Sequence, residues 1–298
     1  MDTEVTAIPV VVVTGAGGGL GAATTALYAS RGWHVVAVDL TAPPSGPGIT
    51  SVAADVTDSA SLKALADRVR AEHNRLDAVI TFAGVLGIGP LAETDPERVQ
   101  QVLDVNVMGT VRTVHALFDL LRSSGGRVVL ISSETGPQHG MPMNGAYAMS
   151  KHAIEAYGDS LRRELMFLGP DVVLIQPGPF RTGMTASIRR RFQESTLPGS
   201  PFAAMAAVMG EMAAGEDDKA TDPGVLAEAV WTAGTTDRPR HRYAVRWDLG
   251  RRLLDHLPVP LVDKALTLAL GGKIDAKKLE LRREAAEALS VAEAEARP

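Results

Sequence analysis

Tyr147 and Lys151 are the two side chains whose types and spacing most directly indicate chemistry. They stand four residues apart in the segment Tyr-Ala-Met-Ser-Lys, so on a helix they lie one above the other on the same face. Free tyrosine ionises near pKa ~10, and a nearby cation lowers that pKa because it stabilises the phenolate. The pair predicts a tyrosine that exchanges a proton near neutral pH, although most pairs at this spacing are solvated surface residues.

A glycine-rich turn near the start of the chain gives this pair a functional context. It runs from Thr14 to Gly21, between an apolar run at 8–13 and an Ala-rich stretch at 20–30. This strand–turn–helix order predicts a phosphate-binding turn, because backbone N–H groups and the positive end of the helix face the anion. The alternative is a turn that only packs a helix on a strand. The turn residues expected to contact a dinucleotide are Gly15, Gly18, Gly19, Leu20 and Gly21.

An acidic residue follows the second predicted strand, at 33–38. Asp39 is placed to accept hydrogen bonds from the adenosine ribose hydroxyls. NADP carries an extra phosphate at this point, and a carboxylate repels it. Leu40 follows Asp39, and Gly18 stands where many NADP-dependent proteins carry a basic residue. We therefore predict NAD(H) in preference to NADP(H), with Asp55 and Val56 beside the adenine.

Composition excludes several classes of protein. The 298 residues include no cysteine, which rules out disulfides, thiolate metal sites and a cysteine nucleophile and fits a cytoplasmic location. The net charge of −5 gives no basic face for nucleic acid. The stretch at 5–30 is uncharged, but Asp2 and Glu4 precede it and glycines interrupt it, so neither a signal peptide nor an integral membrane segment is expected. No metal site is expected.

Strand and helix patterns alternate along the first two thirds of the chain. Predicted strands lie at 8–13, 33–38, 51–54, 77–82, 127–132 and 172–176, and predicted helices at 20–30, 59–73, 96–121 and 147–168. This alternation predicts an α/β fold: a single-domain, Rossmann-type, doubly wound parallel sheet with helices on both faces. A further edge strand is expected at 242–245.

The alternation stops after Pro177 and Gly178. A Met-, Ala- and Phe-rich segment follows, from Thr182 to about Thr221 and including Met184, and either covers the substrate or simply fills the core. We expect a catalytic domain at 1–250, with a substrate lid at about 183–221, and a helical C-terminal extension at 251–298. The apolar pieces at 253–270, broken at Pro258 and Pro260, could contact a membrane surface or a partner subunit. A polar helix or tail is expected from 276.

Residues 8–182 together resemble the classical short-chain dehydrogenase/reductase family. The resemblance is specific because separate motifs agree in order and spacing. The matching residues are Thr14-Gly15-x-x-x-Gly19-x-Gly21, Ala83-Gly84, Asn106, Ser133, Tyr147 with Lys151, and Pro177-Gly178 with Thr182. The chain departs from the family where Thr81 and Phe82 replace two asparagines, which puts local support of the central sheet in doubt.

The resemblance implies a role for each catalytic candidate. Tyr147 would act as general acid and base, and Lys151 would lower its pKa and hold the nicotinamide ribose. Ser133 would hydrogen-bond the substrate oxygen, with the adjacent Ser132 as the less favoured alternative. Asn106 would hold an ordered water that links Lys151 to solvent, or would only bridge a helix and a strand.

The implied reaction interconverts a secondary alcohol and a ketone by hydride transfer with NAD(H). The lid and the sequence around Lys151 resemble branches that act on bulky apolar steroid-, retinoid- or lipid-like substrates. The run at 189–191, three arginines, could instead meet an acidic substrate such as a CoA ester, although such a run is more often a solvated face. The alternatives are a 3-oxoacyl-type reductase and a catalytically silent dinucleotide sensor or scaffold. The resemblance also implies a homodimer or homotetramer that pairs the two long helices.

Overall fold

One parallel sheet of seven strands forms the centre of the protein, in the order β3-β2-β1-β4-β5-β6-β7. The computed structural model describes residues 7–183, 188–217, 220–247, 253 and 257–295. The strands are β1 (Val10–Thr14), β2 (His34–Asp39), β3 (Ile49–Ala53), β4 (Ala78–Thr81), β5 (Arg127–Ile131), β6 (Asp171–Pro177) and β7 (Arg242–Val245). Every neighbouring pair is parallel, and the expected edge strand is β7.

Helices connect these strands and cover both faces of the sheet. They are α1 (Gly19–Ser30), α2 (Ser59–His73), α3 (Pro96–Leu103), α4 (Gly109–Ser124), α5 (Gly145–Leu165), α6 (Ile188–Gln193), α7 (Ala203–Asp217), α8 (Pro223–Thr235) and α9 (Val259–Glu295). One apolar core lies between the sheet and α2, α4 and α5, and a second lies between the sheet and α1 and α8. The central strands are buried on both faces, which explains their continuous runs of valine and isoleucine. The predicted fold class is confirmed.

The predicted helix at 96–121 is interrupted. A π-helical turn, Asp104–Met108, separates α3 from α4 and contains Asn106. A π turn adds one residue to a helical turn, and such turns are frequent at functional sites. Apolar periodicity alone does not reveal it, because the segments on both sides keep their helical pattern.

The expected break at Pro260 is wrong, whereas Pro258 directly precedes the start of a helix. Helix α9 begins at Val259 and continues without interruption to Glu295. Pro260 lies in its first turn, where the missing N–H group has no partner to lose and the fixed φ angle suits a helix. The predicted division between residues 250 and 251 lies outside the described residues. None of the helices in the described part of the chain is both long and apolar enough to cross a bilayer.

A third, smaller apolar core joins the segment after β6 to α9. It contains Phe192 and Met209 from α6 and α7 and Leu270 from α9, packed around Ile88 and Met143 from two loops. The methionines of this segment that contribute, Met205, Met209 and Met212, therefore fill a core, which was one of the two interpretations of the sequence. Met184 lies outside the described residues.

The start of α1 is packed so tightly on the glycine turn that a side chain there has no room. A Cβ atom built on Gly21 overlaps the carbonyl oxygen of Gly15, whereas one built on Gly18 has only that oxygen nearby, at 3.4 Å. We expect Gly21→Ala to lower the free energy of unfolding by about 1–3 kcal/mol, because the helix must move off the turn. Urea denaturation followed by circular dichroism measures this.

The control is Gly18→Ala, which should change the free energy of unfolding by less than about 1 kcal/mol. At position 21, inside the helix, alanine is favoured over glycine by about 1 kcal/mol, which offsets part of the loss expected from the close contact. A Gly21→Ala protein as stable as the wild type, or more stable, would contradict the close packing described here.

Candidate active site

The predicted site residues meet at the carboxyl edge of the sheet. The turn after β1 lies against the segment after β4: a Cβ atom on Gly15 would be 2.6 Å from the backbone nitrogen of Ala83. Strand order reverses at β1, which pairs with β2 on one side and β4 on the other. In doubly wound sheets, ligands bind in the crevice at this point of reversal. The fold therefore brings the glycine turn, Ala83 and Gly84 to one crevice.

Tyr147 and Lys151 both lie at the start of α5 and face the end of β5. The Lys151 side chain is 7% exposed, and its Nζ atom donates a hydrogen bond to the carbonyl oxygen of Ile131 at 2.9 Å. The same Nζ atom is 5.5 Å from the centre of the Tyr147 ring. Ser133 lies close enough to the phenol of Tyr147 to lower its pKa. The structure thus brings these three predicted catalytic residues together.

The pKa values of this pair differ from the prediction. Burial raises the pKa of Tyr147 to about 12, with the Ser133 hydrogen bond lowering it and the charge of Glu134 raising it. Burial also lowers the pKa of Lys151 to about 8, against the charge of Glu155. For the polypeptide by itself the pKa of Tyr147 is therefore raised, and not lowered as the sequence predicts, because desolvation is the largest cause. The effect of Lys151 on the phenol stays a prediction.

Ser133, and not Ser132, is the serine that reaches the tyrosine. The backbone N–H of Thr135 donates to Ser133 Oγ at 3.2 Å, which leaves the hydroxyl proton of Ser133 available to another acceptor. Ser132 Oγ is buried without a hydrogen-bond partner in the described structure and faces Gly136 instead. Adjacent residues at the end of a strand point in opposite directions, which accounts for the difference.

Asn106 ties the π turn to two other parts of the site. Its Oδ1 accepts a hydrogen bond from the Val85 N–H at 2.8 Å, and its Nδ2 donates to the Val85 carbonyl and to Ser150 Oγ, each at 3.0 Å. The side chain is 1% exposed, so these bonds satisfy an amide that would be costly to bury alone. The bridging interpretation describes these contacts, and the role of Asn106 in holding a water molecule stays a prediction.

The glycine turn fits a dinucleotide because the missing side chains let the phosphates approach its backbone. A Cβ atom on Gly19 would lie 3.3 Å from Cγ2 of Thr182, so the segment after β6 reaches over the turn. Leu20 lies in the first turn of α1 and is partly buried beside the second core. Pro177 and Gly178 are fixed by β7, since the Gly178 N–H donates to the Val245 carbonyl at 2.9 Å.

The two acidic residues of the predicted adenosine side are held by backbone groups. Asp39 Oδ2 accepts a hydrogen bond from the Gly17 N–H at 2.9 Å, and Oδ1 accepts one from the Leu40 N–H at 2.7 Å. Asp55 Oδ1 accepts from both the N–H and the hydroxyl of Thr57, which lowers the pKa of Asp55. These hydrogen bonds fix the orientation of both carboxylates, Asp39 beside the glycine turn and Asp55 beside the end of β3.

Val56 and Thr81 have structural contacts that the sequence did not show. Val56 is buried against Gly109, where a Cβ atom would be 2.7 Å from Val56 Cγ2. The Thr81 hydroxyl accepts a hydrogen bond from the Ile131 N–H at 3.4 Å. This bond joins β4 to β5, so the threonine that replaces an asparagine supports the central sheet.

Two buried glutamates beside the site were not among the predicted residues. Glu134 follows Ser133 directly and is 5% exposed, and Glu155 lies one helical turn after Lys151 and is 9% exposed. The sequence contained a signal for each of them. Glu134 is an acid next to the catalytic serine, and Glu155 is an acid four residues after the lysine, on the same helix face. Neither signal distinguishes a buried carboxylate from a solvated one.

A cavity of about 270 Å³ lies near the start of α5, lined by Leu86, Ile88, Arg98, Arg191 and Glu194. Gly87, between the first two, packs against the catalytic helix, since a Cβ atom there would be 3.1 Å from the Tyr147 nitrogen. The described residues contain no group of three or more histidine, aspartate or glutamate side chains that could hold a metal ion.

Comparisons with known proteins agree with this arrangement. The family model for short chain dehydrogenases matches residues 9–193. Retinol dehydrogenase 16 of Rattus norvegicus is 30% identical over 274 residues, which cover 85% of this chain and 86% of that protein. The 17-beta-hydroxysteroid dehydrogenase type 6 of Homo sapiens is 30% identical over 282 residues, which cover 86% of this chain and 87% of that protein.

The fold is also found among solved structures. A short-chain dehydrogenase from Streptomyces avermitilis superposes with a TM-score of 0.71 at 25% sequence identity, covering 88% of this chain and 95% of that one. The similarity extends beyond residue 193, where the family match ends.

The buried ammonium of Lys151 makes stability depend on pH in a defined direction. Its pKa is about 8 in the folded chain and 10.5 in a free side chain, so between these values the unfolded state binds more protons. Stability therefore rises with pH in this window. We expect the free energy of unfolding to rise by about 2 kcal/mol from pH 8 to pH 10 in the wild type relative to Lys151→Met. Urea denaturation at each pH measures this difference.

The matched change at an exposed lysine of α9, Lys264→Met, controls for the loss of a lysine as such. If the difference between wild type and Lys151→Met stays constant from pH 8 to pH 10, the ammonium is not desolvated as the structure indicates.

Proposed function

We propose a substrate class for this chain, which belongs to the short-chain dehydrogenase/reductase family and is an NAD(P)-dependent oxidoreductase acting on CH–OH groups. The proposed substrates are bulky apolar secondary alcohols and ketones of steroid, retinoid or lipid type. One observation carries the proposal. Lys151 and Ser133, which are buried, and Tyr147, which is partly buried, lie together at the edge of the sheet that also holds the glycine turn.

Tyr147 and Ser133 would contact the substrate oxygen, and Lys151 would act on Tyr147. The bound cofactor supplies or accepts the hydride. In the direction of carbonyl reduction, the phenol of Tyr147 donates a proton to the substrate oxygen, and in oxidation the phenolate accepts it. Ser133 donates a hydrogen bond to the same oxygen and stabilises the negative charge that develops there. Lys151 supplies a positive charge beside the phenol, which stabilises the phenolate that forms when the proton leaves.

The cavity beside the start of α5 has a mixed lining, since Leu86 and Ile88 are apolar whereas Arg98, Arg191 and Glu194 are charged. The two apolar side chains could bind an apolar ligand by removing its surface from water. The names of the two relatives, a retinol dehydrogenase and a hydroxysteroid dehydrogenase, support the same substrate class.

The charge of Asp39 supports NAD(H) as the preferred cofactor. The carboxylate is fixed beside the glycine turn by the Gly17 N–H, where it would repel the additional phosphate of NADP(H). The neighbouring Leu40 is 71% exposed and carries no charge that could offset this repulsion.

Exposed apolar side chains on the α4 and α5 side support the proposal of a homodimer or homotetramer. Met108 and Met149 are 43% and 47% exposed, and Phe167, just after α5, is 84% exposed. Apolar groups grouped on one side of a protein are typical of association surfaces. The proposal of a cytoplasmic location rests on the absence of cysteine from the sequence.

Turnover with steroid and retinoid ketones and alcohols tests the proposed reaction. We expect oxidation or reduction of at least one of them, followed at the NADH absorbance band, and a loss of kcat of about 10² or more in Tyr147→Phe because the proton donor is removed. NADH should still bind to this variant, since the phenol does not hold the phosphates. Tight NADH binding without turnover of any compound would favour a dinucleotide sensor.

Removal of the Asp39 charge tests the cofactor proposal. Asp39→Asn should improve NADP(H) binding relative to NAD(H) by about tenfold, equivalent to about 1.4 kcal/mol, because the repulsion of the phosphate is lost. Dissociation constants from isothermal titration calorimetry give this ratio. Asp55→Asn removes a charge at the end of β3 and should leave the ratio unchanged. A wild-type protein that binds NADPH as tightly as NADH would overturn the proposal.

A further inference from the structure

Glu155 is a buried acid on the same face of α5 as the catalytic pair. Tyr147, Lys151 and Glu155 are spaced four residues apart, so they follow one another along the helix. A carboxylate that is 9% exposed must be compensated by hydrogen bonds and opposite charge, because removing it from water is costly.

Two side chains from the sheet provide this compensation. Gln176 Nε2, on β6, donates to Glu155 Oε1 at 2.9 Å, and Arg242 Nε, on β7, donates to Oε2 at 2.9 Å. Arg242 Nη2 also donates to Asp159 Oδ1 at 2.8 Å, so one guanidinium joins two acids of α5 to the last strand. The Glu155 carboxylate therefore has a fixed orientation and links α5 to β6 and β7.

The same carboxylate packs against the loop that follows the catalytic serine. A Cβ atom built on Gly136 would lie 3.0 Å from Glu155 Cγ and 3.1 Å from Oε1, so this loop approaches Glu155 as closely as a glycine allows. The backbone of Gln176 is held in turn, because Trp247 Nε1 donates to its carbonyl oxygen at 2.7 Å. Glu155 is thus in contact with the segments that carry Ser133 and Pro177.

The charge of Glu155 acts on Lys151. Burial lowers the pKa of Lys151, and the negative charge of Glu155 opposes this shift. The charged groups around Glu155 are Lys151 and Asp159 on its own helix and Arg242 on β7, and Gln176 on β6 is neutral. Arg242 is shared with Asp159, so its charge compensates both acids and leaves Glu155 able to stabilise the ammonium.

We propose that Glu155 is a positioning residue that keeps Lys151 charged for proton transfer, and that Gln176 and Arg242 hold Glu155 for this purpose. The proposal rests on the role of Lys151 in the proposed reaction. Through Arg242, strand β7 would then help to maintain the charge of Lys151, although β7 itself carries no catalytic residue.

The test is the ionisation of Lys151 itself, followed by NMR of protein labelled at the lysine ε-carbon and assigned with Lys151→Arg. In Glu155→Gln, which keeps the shape but removes the charge, the Lys151 titration should move to lower pH by about one unit or more. Glu155→Asp, which keeps the charge, should titrate closer to the wild type. Asp159→Asn, one turn further along α5 and also bonded to Arg242, should move the titration of Lys151 less than Glu155→Gln does, because it leaves the Glu155 charge in place and only releases Arg242 to it.

The pH profile of ketone reduction gives the matching readout on function. The alkaline limb of kcat/KM should move to lower pH in Glu155→Gln by the same amount as the Lys151 titration and should return in Glu155→Asp. An unchanged Lys151 titration in folded Glu155→Gln, or an equal shift in Asp159→Asn, would overturn the proposal. If no ketone is reduced but the Lys151 titration moves as expected, the proposed reaction is wrong and the action of Glu155 on Lys151 stands.

Discussion

Desolvation of the Lys151 ammonium is the interaction on which the active site depends. The cation donates to the Ile131 carbonyl at the end of β5 and lies 5.5 Å from the centre of the Tyr147 ring. In water a charge at this distance would affect a phenol very little, but inside a protein the effective dielectric constant is lower and the effect is larger. The same burial is costly to the lysine, so the structure must compensate the charge, and Glu155 is placed to do so.

The sheet holds these groups at one edge. The Lys151 nitrogen is anchored at the end of β5, Gln176 and Pro177 come from the end of β6, and the glycine turn follows β1. Parallel strands present all of their carboxyl ends on the same side, which brings residues distant in sequence into one crevice. Gly15 lies close to Ala83, and Gly21 lies close to the turn. This part of the crevice is therefore formed by backbone without side chains, which a phosphate can approach.

Much of this arrangement could be predicted from the sequence, because its signals are local. The span of α2 follows from the spacing of Leu62, Leu65 and Val69, and the parallel sheet follows from the alternation of strands and helices. The π turn around Asn106 and the continuity of α9 through Pro260 could not be predicted, because both depend on backbone geometry that the apolar pattern leaves open. The pKa direction of Tyr147 was wrong because the strength of desolvation depends on the packing of the whole site. The burial of Glu134 and Glu155 also depends on the packing of the whole site, so the sequence did not reveal it.

The most direct test of the account is the ionisation of Tyr147, measured by NMR of protein labelled at the tyrosine ζ-carbon and assigned with Tyr147→Phe. Desolvation predicts a pKa of about 12 in the free protein. It also predicts a lower pKa when NAD⁺ is bound, because the cationic nicotinamide stabilises a neighbouring phenolate. A pKa near the ordinary value of ~10 in the free protein, unaffected by NAD⁺, would show that the phenol is solvated and would contradict the central claim.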